Sequence, residues 1–345
     1  MSDPNTLKSA LGALVSGAHL TENESEAAVG AIMEGAATPA QIGAFLTALR
    51  MRGETTDELV GAARAMRARV VPVPHDLAQI VDTCGTGGDG AKTFNISTAT
   101  AFVVAAAGLP VAKHGNRAVS SSVGSADVLE ALGVSINLTP EAVSRCLREV
   151  GLGFMFAPNH HQAMKHAAPV RRELGFRTMF NLLGPVTNPA NATHQLIGIF
   201  DGSRLMQVAT VLLRLGVKRA LVVHGPAGLD ELGLDGITRA VLVDHGELKP
   251  LEIDPTPLVT AAPVSTLAGG DAGMNAAIIR DVLAGTPGPA REVVALNAGA
   301  ALWVAEAAST LADGVGLARD ILEKGLARER LESFASLTRS LGGAA

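Results

Sequence analysis

The sequence predicts an α/β protein: a small α-helical domain followed by a large α/β domain with a central, mostly parallel sheet. Three observations carry this. Residues 1 to about 70 show helical periodicity only, whereas from residue 79 apolar runs of strand length alternate with helical segments. A loop with four glycines, Gly85, Gly87, Gly88 and Gly90, joins the first such strand to the first such helix. The hydrophobic fraction, 48% of 345 residues, is ample for a sizeable core in one large domain or two.

In the helical opening, Leu7, Leu11, Leu14 and Val15 make an apolar stripe. Thr21 with Glu24, Thr38 with Gln41, and Thr55 with Glu58 are capping-box signatures, and Pro39 occupies the favoured first helical position after the second. Ile42, Phe45, Leu46 and Leu49 fall on one helical face. Pro72 and Pro74 mark a linker. The expected division is therefore a small helical domain over 1–72 and an α/β domain over 75–345, with part of about 160–190 packing back on the first.

Beyond the strand at 80–81, the pattern predicts a helix over 97–107 and a strand over 109–112. A helix over 127–132 capped by Ser125 and a strand-like run over 134–138 follow. Thr139-Pro140-Glu141 opens another helix, and strands are expected at 153–156, 196–200 and 220–223, with a helix over 205–215. Residues 241–243 and 248–253 read as an edge hairpin around His245-Gly246, and the chain is mainly helical from Asn275. In open α/β sheets ligands bind beyond the carboxyl ends of the strands. Loops 83–98, 113–125 and 224–231 all lie there. Segment 157–189 interrupts the alternation with His160, His161, Lys165, His166, Arg171, Arg172 and Arg177, and is expected to form one wall of a cleft. The histidines read as polar surface or cleft groups, because carboxylates at a metal-ligand spacing are missing nearby.

Net charge is −5 and the isoelectric point is near 6.0, which argues against nucleic acid or an anionic membrane as partner. One Trp and no Tyr leave little for base stacking. The N-terminus lacks a signal-peptide pattern, and the long apolar segments are broken by Gly, Pro or charge. Cys84 and Cys146 form neither a metal-ligand spacing nor a disulfide framework, and Cys84 reads as a small packing residue. A cytoplasmic protein is expected.

The glycine loop permits tight turns and close backbone approach to a ligand, and amides at a following helix N-terminus can receive an anion. A phosphate site and a ligand-free turn both fit it. GTGGDG matches the dinucleotide fingerprint, but the next strand ends in Lys113 and His114 rather than an acid, and Asp89 would repel a bare pyrophosphate. Ala91 between Gly90 and Lys92 excludes a P-loop. A carboxylate in a phosphate loop is sensible where a divalent cation or a ribose hydroxyl accompanies the phosphate. Lys113-His114-Gly115-Asn116-Arg117, followed by Ser120, Ser121, Ser122 and Ser125, suits a second anion or a solvated basic loop. Asp230-Glu231 reads alone as a surface pair, but beside two phosphate-type loops as an Mg²⁺ site. Arg171 and Arg172 are adjacent on a helix, so at most one faces a given ligand.

DTCGTGGDGAKTFNIST, KHGNRAVSSSVGSADVLEALG, VRRELGFRTMFNLLGPVTNP and GLDEL, in this order, resemble the anthranilate phosphoribosyltransferase family. FLTALRMRGET resembles it too, and also the related pyrimidine nucleoside phosphorylases. The resemblance implies a nucleoside phosphorylase/phosphoribosyltransferase-like fold, a homodimer, and Mg²⁺-assisted transfer of phosphoribose from phosphoribosyl pyrophosphate to anthranilate in tryptophan biosynthesis. By motif position it implies donor contacts from Gly85, Gly88, Asp89 and Thr93, with Asn95, Ile96, Ser97 and Thr98 at the pyrophosphate. Lys113, His114, Gly115, Asn116, Arg117, Ala118, Val119, Ser120 and Ser121, with Ser125, would hold the remaining phosphate groups. Ser97, Asp230 and Glu231 would bind magnesium; Gly85, Asn116 and Arg171 would meet anthranilate. No side-chain base is implied. Pro226-Ala227-Gly228 departs from the family's usual short turn before LDE. Two rivals share the fold. A pyrimidine nucleoside phosphorylase should lack the KHGNR and NLLGPVTNP context, and a nucleic-acid-binding relative would need a basic surface.

Overall fold

The computed structural model describes residues 5–118 and 123–342. The expected donor residues Val119, Ser120 and Ser121 lie outside them. Helices Thr6–Val15, Glu22–Met33, Pro39–Arg52 and Thr56–Arg67 form the N-terminal bundle. All three capping boxes are closed on both sides, each satisfying two backbone donors that a helix start leaves open. Ile42, Phe45, Leu46 and Leu49 are buried as their spacing predicts, but Val15 leaves the stripe and is exposed.

Seven strands make one sheet: β1 Val81–Gly85, β2 Val111–Gly115, β3 Leu152–Phe156, β4 His194–Gly198, β5 Arg219–His224, β6 Thr238–Asp244 and β7 Glu247–Ile253. Their order is β3-β2-β1-β4-β5-β6-β7. The first five are parallel, and the hairpin β6–β7 adds an antiparallel edge. His245 and Gly246 take positive φ at its turn, the conformation a tight hairpin needs. The run 134–138 is not a strand. Val134, Ile136 and Leu138 are buried with strand-like alternation, but they pair with no ladder and plug the core from a connecting segment.

Strand alternation divides the interior into two layers. Leu221 and Val223 of β5 point into a core shared with helices Ile96–Ala106, Pro289–Val304 and Leu326–Gly342. Ala220 and Val222 point into the other, shared with helix Leu205–Arg214, with Ala167, Val170, Phe180 and Val186, and with Phe45 and Leu49 of the bundle. The bundle core is thus continuous with one face of the sheet. Polar ties reinforce the junction: Arg204 Nη2 donates to the Glu54 carboxylate at 2.9 Å, and Arg67 Nε to the Val186 carbonyl at 2.9 Å.

From β1 the chain proceeds to β2 and β3 on one side, then returns to β4 on the other. The crevice at the carboxyl ends of β1 and β4 is therefore the topological switch point, where such sheets bind ligands.

Candidate active site

Gly85 and Gly198 end β1 and β4 side by side, and the loop after β5 crosses over both. A Cβ on Gly198 would overlap the Asp230 carbonyl, and one on Gly85 the Asp230 carboxylate. Absence of side chains at these two strand ends lets the Asp230-Glu231 loop lie flat across the crevice. Asp230 then accepts a hydrogen bond from the Gly87 amide at 2.7 Å. Glu231 accepts one from the Ser97 amide at 3.1 Å, in the first turn of helix Ile96–Ala106. Asp89 folds back on its own loop, its carboxylate accepting from the Ala91 amide at 3.1 Å, and stands close to Asp230. Three carboxylates and the Ser97 hydroxyl thus converge where β1, β4 and β5 end.

Burial raises the Asp230 carboxyl to about 7, and the charge of Asp89 adds to the effect. Burial raises Glu231 to about 8, with Asp230 adding and Lys113 opposing. Like charges withdrawn from water disfavour ionisation, and a cation reverses that preference. Among the described residues no group of three or more His, Cys, Asp or Glu side chains has the geometry to enclose a metal by itself. Mg²⁺ keeps waters and takes one or two carboxylates plus substrate phosphates, and the Asp230-Glu231 pair supplies that number. The donor set therefore fits the expected cation, with its shell completed by substrate.

β2 begins and ends later than its apolar run suggested, so Lys113 and His114 lie within it and face opposite sides. Lys113 is 3% exposed; its ammonium donates to the Thr83 carbonyl and, at 3.2 Å, to Ser97 Oγ. It lies under the crevice floor as the counter-charge of Asp82 and Glu231, and burial lowers its pKa. Asp82 is fully buried on the other face, accepting from Asn188 Nδ2 at 2.8 Å and from the His114 amide at 3.3 Å. Its carboxyl is raised, first by burial, with Lys113 opposing. His114 packs against His161 with ring centroids 4.9 Å apart and the planes tilted by 44°. His160 and His161 are buried, which excludes the surface half of the surface-or-cleft expectation, and burial lowers both imidazoles, His161 to about 4. Cys84 is buried with its thiol raised well above the usual range, so it packs and does not attack.

The remaining expected residues divide into two groups. Thr93 pairs with Ala268 in an isolated bridge beside the glycine loop, and Asn95 accepts from Asn275 Nδ2 at 3.0 Å while donating to the Val123 carbonyl. Ile96 and Thr98 are buried, side chain and backbone alike. In the second loop Gly115 leaves room for Ser125, whose hydroxyl donates to the Asn116 carbonyl. Ser125 is the first residue of helix Ser125–Ala131 rather than its cap; Asp127 closes the turn by accepting from the Gly124 and Ala118 amides. Arg117 is held by Asp127 and Glu130, away from the crevice floor. Asn116 is exposed beside it.

Helix Ala168–Leu174 separates the two arginines: Arg171 is half-buried and Arg172 exposed. The Arg171 guanidinium lies 5.4 Å from the Phe180 ring centroid and has no ion pair among the described residues, and burial lowers its pKa. A partly desolvated, unpaired guanidinium is suited to a carboxylate ligand. Asn188, Asn275 and Arg177, outside the expected ligand contacts, also hold groups of the crevice: Asn188 holds Asp82, Asn275 holds Asn95 and Arg177 the Gly88 carbonyl. The NLLGPVTNP motif was the available signal for Asn188; nothing local marks Asn275.

Comparisons with known proteins agree with this geometry. Residues 8–70 match the helical bundle domain, and residues 77–328 the a/b domain, of the glycosyl transferase family. The anthranilate phosphoribosyltransferase of Moorella thermoacetica is 52% identical over 335 residues, covering 97% of this chain and 99% of that one. That of Brevibacillus brevis is 54% identical over 324 residues, covering 94% and 95%. The crystal structure of the Thermus thermophilus anthranilate phosphoribosyltransferase superposes with a TM-score of 0.91 at 44% identity, over 96% of this chain and 99% of that chain. The Saccharomyces cerevisiae enzyme in complex with PRPP and Mg gives 0.89 at 26% identity, over 99% of each. With its bundle, its switch-point carboxylates and these relatives, the chain belongs to the anthranilate phosphoribosyltransferase family of glycosyl transferases.

Proposed function

We propose that the chain transfers the 5-phosphoribosyl group from phosphoribosyl pyrophosphate to the amine of anthranilate, giving N-(5-phosphoribosyl)anthranilate and pyrophosphate, a step of tryptophan biosynthesis. The observation that carries this reading is the convergence of the glycine loop, the first turn of helix Ile96–Ala106 and the Asp230-Glu231 pair at the switch point.

Asp230 and Glu231, with Ser97 Oγ, would hold Mg²⁺. When bound, the cation neutralises charge on the departing pyrophosphate. The chain's own groups position the donor. The glycine-loop backbone approaches it closely, and the second loop, through Asn116 and Ser125, receives its other phosphate. Lys113 acts from beneath by holding Ser97 and balancing Glu231. Arg171 takes the anthranilate carboxylate, supported by its unpaired, half-buried guanidinium. Displacement at the anomeric carbon passes through an oxocarbenium-like state. The aromatic amine is neutral at pH 7 and needs no side-chain base, so positioning and charge stabilisation supply the catalysis.

The resemblance also implies a homodimer. No helix among the described residues is long and apolar enough to cross a membrane. The unpaired Cys84 and Cys146 support a reducing, cytoplasmic setting. The test is to follow anthranilate fluorescence on adding phosphoribosyl pyrophosphate and Mg²⁺. Consumption matched by pyrophosphate release is expected. Phosphate-dependent cleavage of pyrimidine nucleosides, with anthranilate untouched, would refute the reading.

A further inference from the structure

Three glycines of the donor loop, Gly87, Gly88 and Gly90, have φ of 67°, 72° and 78°, so nothing intrinsic to the residues holds their peptides in one orientation. Contacts from elsewhere must do so. Asp230 takes the Gly87 amide and Asp89 the Ala91 amide. Between them, the Gly88 carbonyl is taken by the guanidinium of Arg177.

Arg177 is held in turn. Its guanidinium lies over the Phe200 ring, 3.7 Å from the centroid, a cation–π contact at close range. The Phe200 amide donates to Thr86 Oγ1 at 3.1 Å, and the Thr86 amide to the Gly198 carbonyl at 2.9 Å. Loop, strand end and guanidinium therefore form a closed circuit. In a trans peptide the carbonyl of one residue and the amide of the next point in opposite directions. Fixing the Gly88 carbonyl on Arg177 thereby turns the Asp89 amide the other way. Arg177 also follows helix Ala168–Leu174, which carries Arg171, after the left-handed Gly175. One short segment thus presents a cation toward the acceptor side and clamps the donor loop.

We propose that Arg177 is a positioning residue for the donor. It does not touch substrate; it sets the orientation of the Gly88–Asp89 peptide, and so the preorganisation of the loop that receives phosphoribosyl pyrophosphate. The inference rests on the proposed reaction, and turnover by the unaltered protein tests that reaction separately. Arg177→Ala should raise KM for phosphoribosyl pyrophosphate about ten-fold or more, the size expected when a charged hydrogen bond is lost. KM for anthranilate should change less than about two-fold, and the melting temperature little, since the bond is only half-buried. Arg177→Lys keeps a cation and a donor and should restore much of the donor KM; Arg177→Gln keeps a donor alone and should restore less. Added guanidinium ion should partly rescue Arg177→Ala. Equal shifts in both KM values, equal defects in all three variants, or wild-type donor kinetics in Arg177→Ala would overturn the assignment. If Arg177→Ala does not fold, the Lys and Gln variants carry the same ordering test.

Discussion

The loops after β1 and β2 both lie at the carboxyl ends of neighbouring parallel strands and are built in opposite ways. The first is cross-linked to distant parts of the chain: Gly87 to Asp230, Gly88 to Arg177, Thr86 to Gly198 and Phe200, Ser97 to Glu231. The second, among the described residues, is closed mainly on its own helix: Arg117 on Asp127 and Glu130, Ala118 and Gly124 on Asp127. One is tied to three distant chain regions and the other is a local turn. Damage to the first should therefore reach both donor and cation, whereas damage to the second should stay with the donor phosphate it serves.

The largest effect is expected at Gly198. Gly198→Ala places a methyl on the Asp230 carbonyl, and backbone has nowhere to yield cheaply. Overpacking of this kind costs typically about 1–3 kcal/mol or more, and the displaced loop carries both carboxylates. Turnover should fall about a hundred-fold or more, with Mg²⁺ dependence shifted to higher concentration. A variant with ordinary kinetics would show that the Asp230-Glu231 loop need not lie flat across β4.

Arg171→Ala should come next. Loss of a charged hydrogen bond is worth about 1.5–3 kcal/mol, so kcat/KM for anthranilate should drop about ten- to a hundred-fold while donor affinity holds. Arg172→Ala, exposed one position along, should behave as the unaltered protein. An acceptor defect in Arg172→Ala alone would move the carboxylate site.

Asp127→Ala is expected to be the mildest. It removes the group that closes the second loop, comparable with loss of a helix cap at about 0.5–2 kcal/mol. Stability should fall by that amount and KM for phosphoribosyl pyrophosphate should rise several-fold, with the Mg²⁺ requirement unchanged. A matching change in the Mg²⁺ requirement would mean that the two loops are one unit.

What was legible in the sequence follows the same local-versus-distant divide. The capping boxes are four-residue signals, and all three are formed. The sheet, its edge hairpin and the loops at its carboxyl ends follow from alternation and turn chemistry, with strand ends off by up to four residues. The run 134–138 misled because burial can alternate in an extended connector that has no ladder partner. Lys113 looked like a surface anion ligand because a basic cluster carries no sign of which members turn inward; two further strand residues bury it. The buried histidines and the Arg177 clamp are invisible for a related reason. Their partners, such as Val71 for His160 and Gly88 for Arg177, lie 89 residues away in each case.

The central claim is that the donor site depends on a cation held by the carboxylates that cross β1 and β4. Its most direct test is calorimetric titration of phosphoribosyl pyrophosphate into the protein, with and without Mg²⁺, beside an Asp230→Asn, Glu231→Gln double variant. The replacements preserve shape and relieve a buried like-charge cluster, so the variant should fold at least as well as the native chain. Strong binding that requires Mg²⁺ in the native protein, and weak binding indifferent to Mg²⁺ in the variant, is the predicted result. Equal, Mg²⁺-enhanced binding in both would contradict the account.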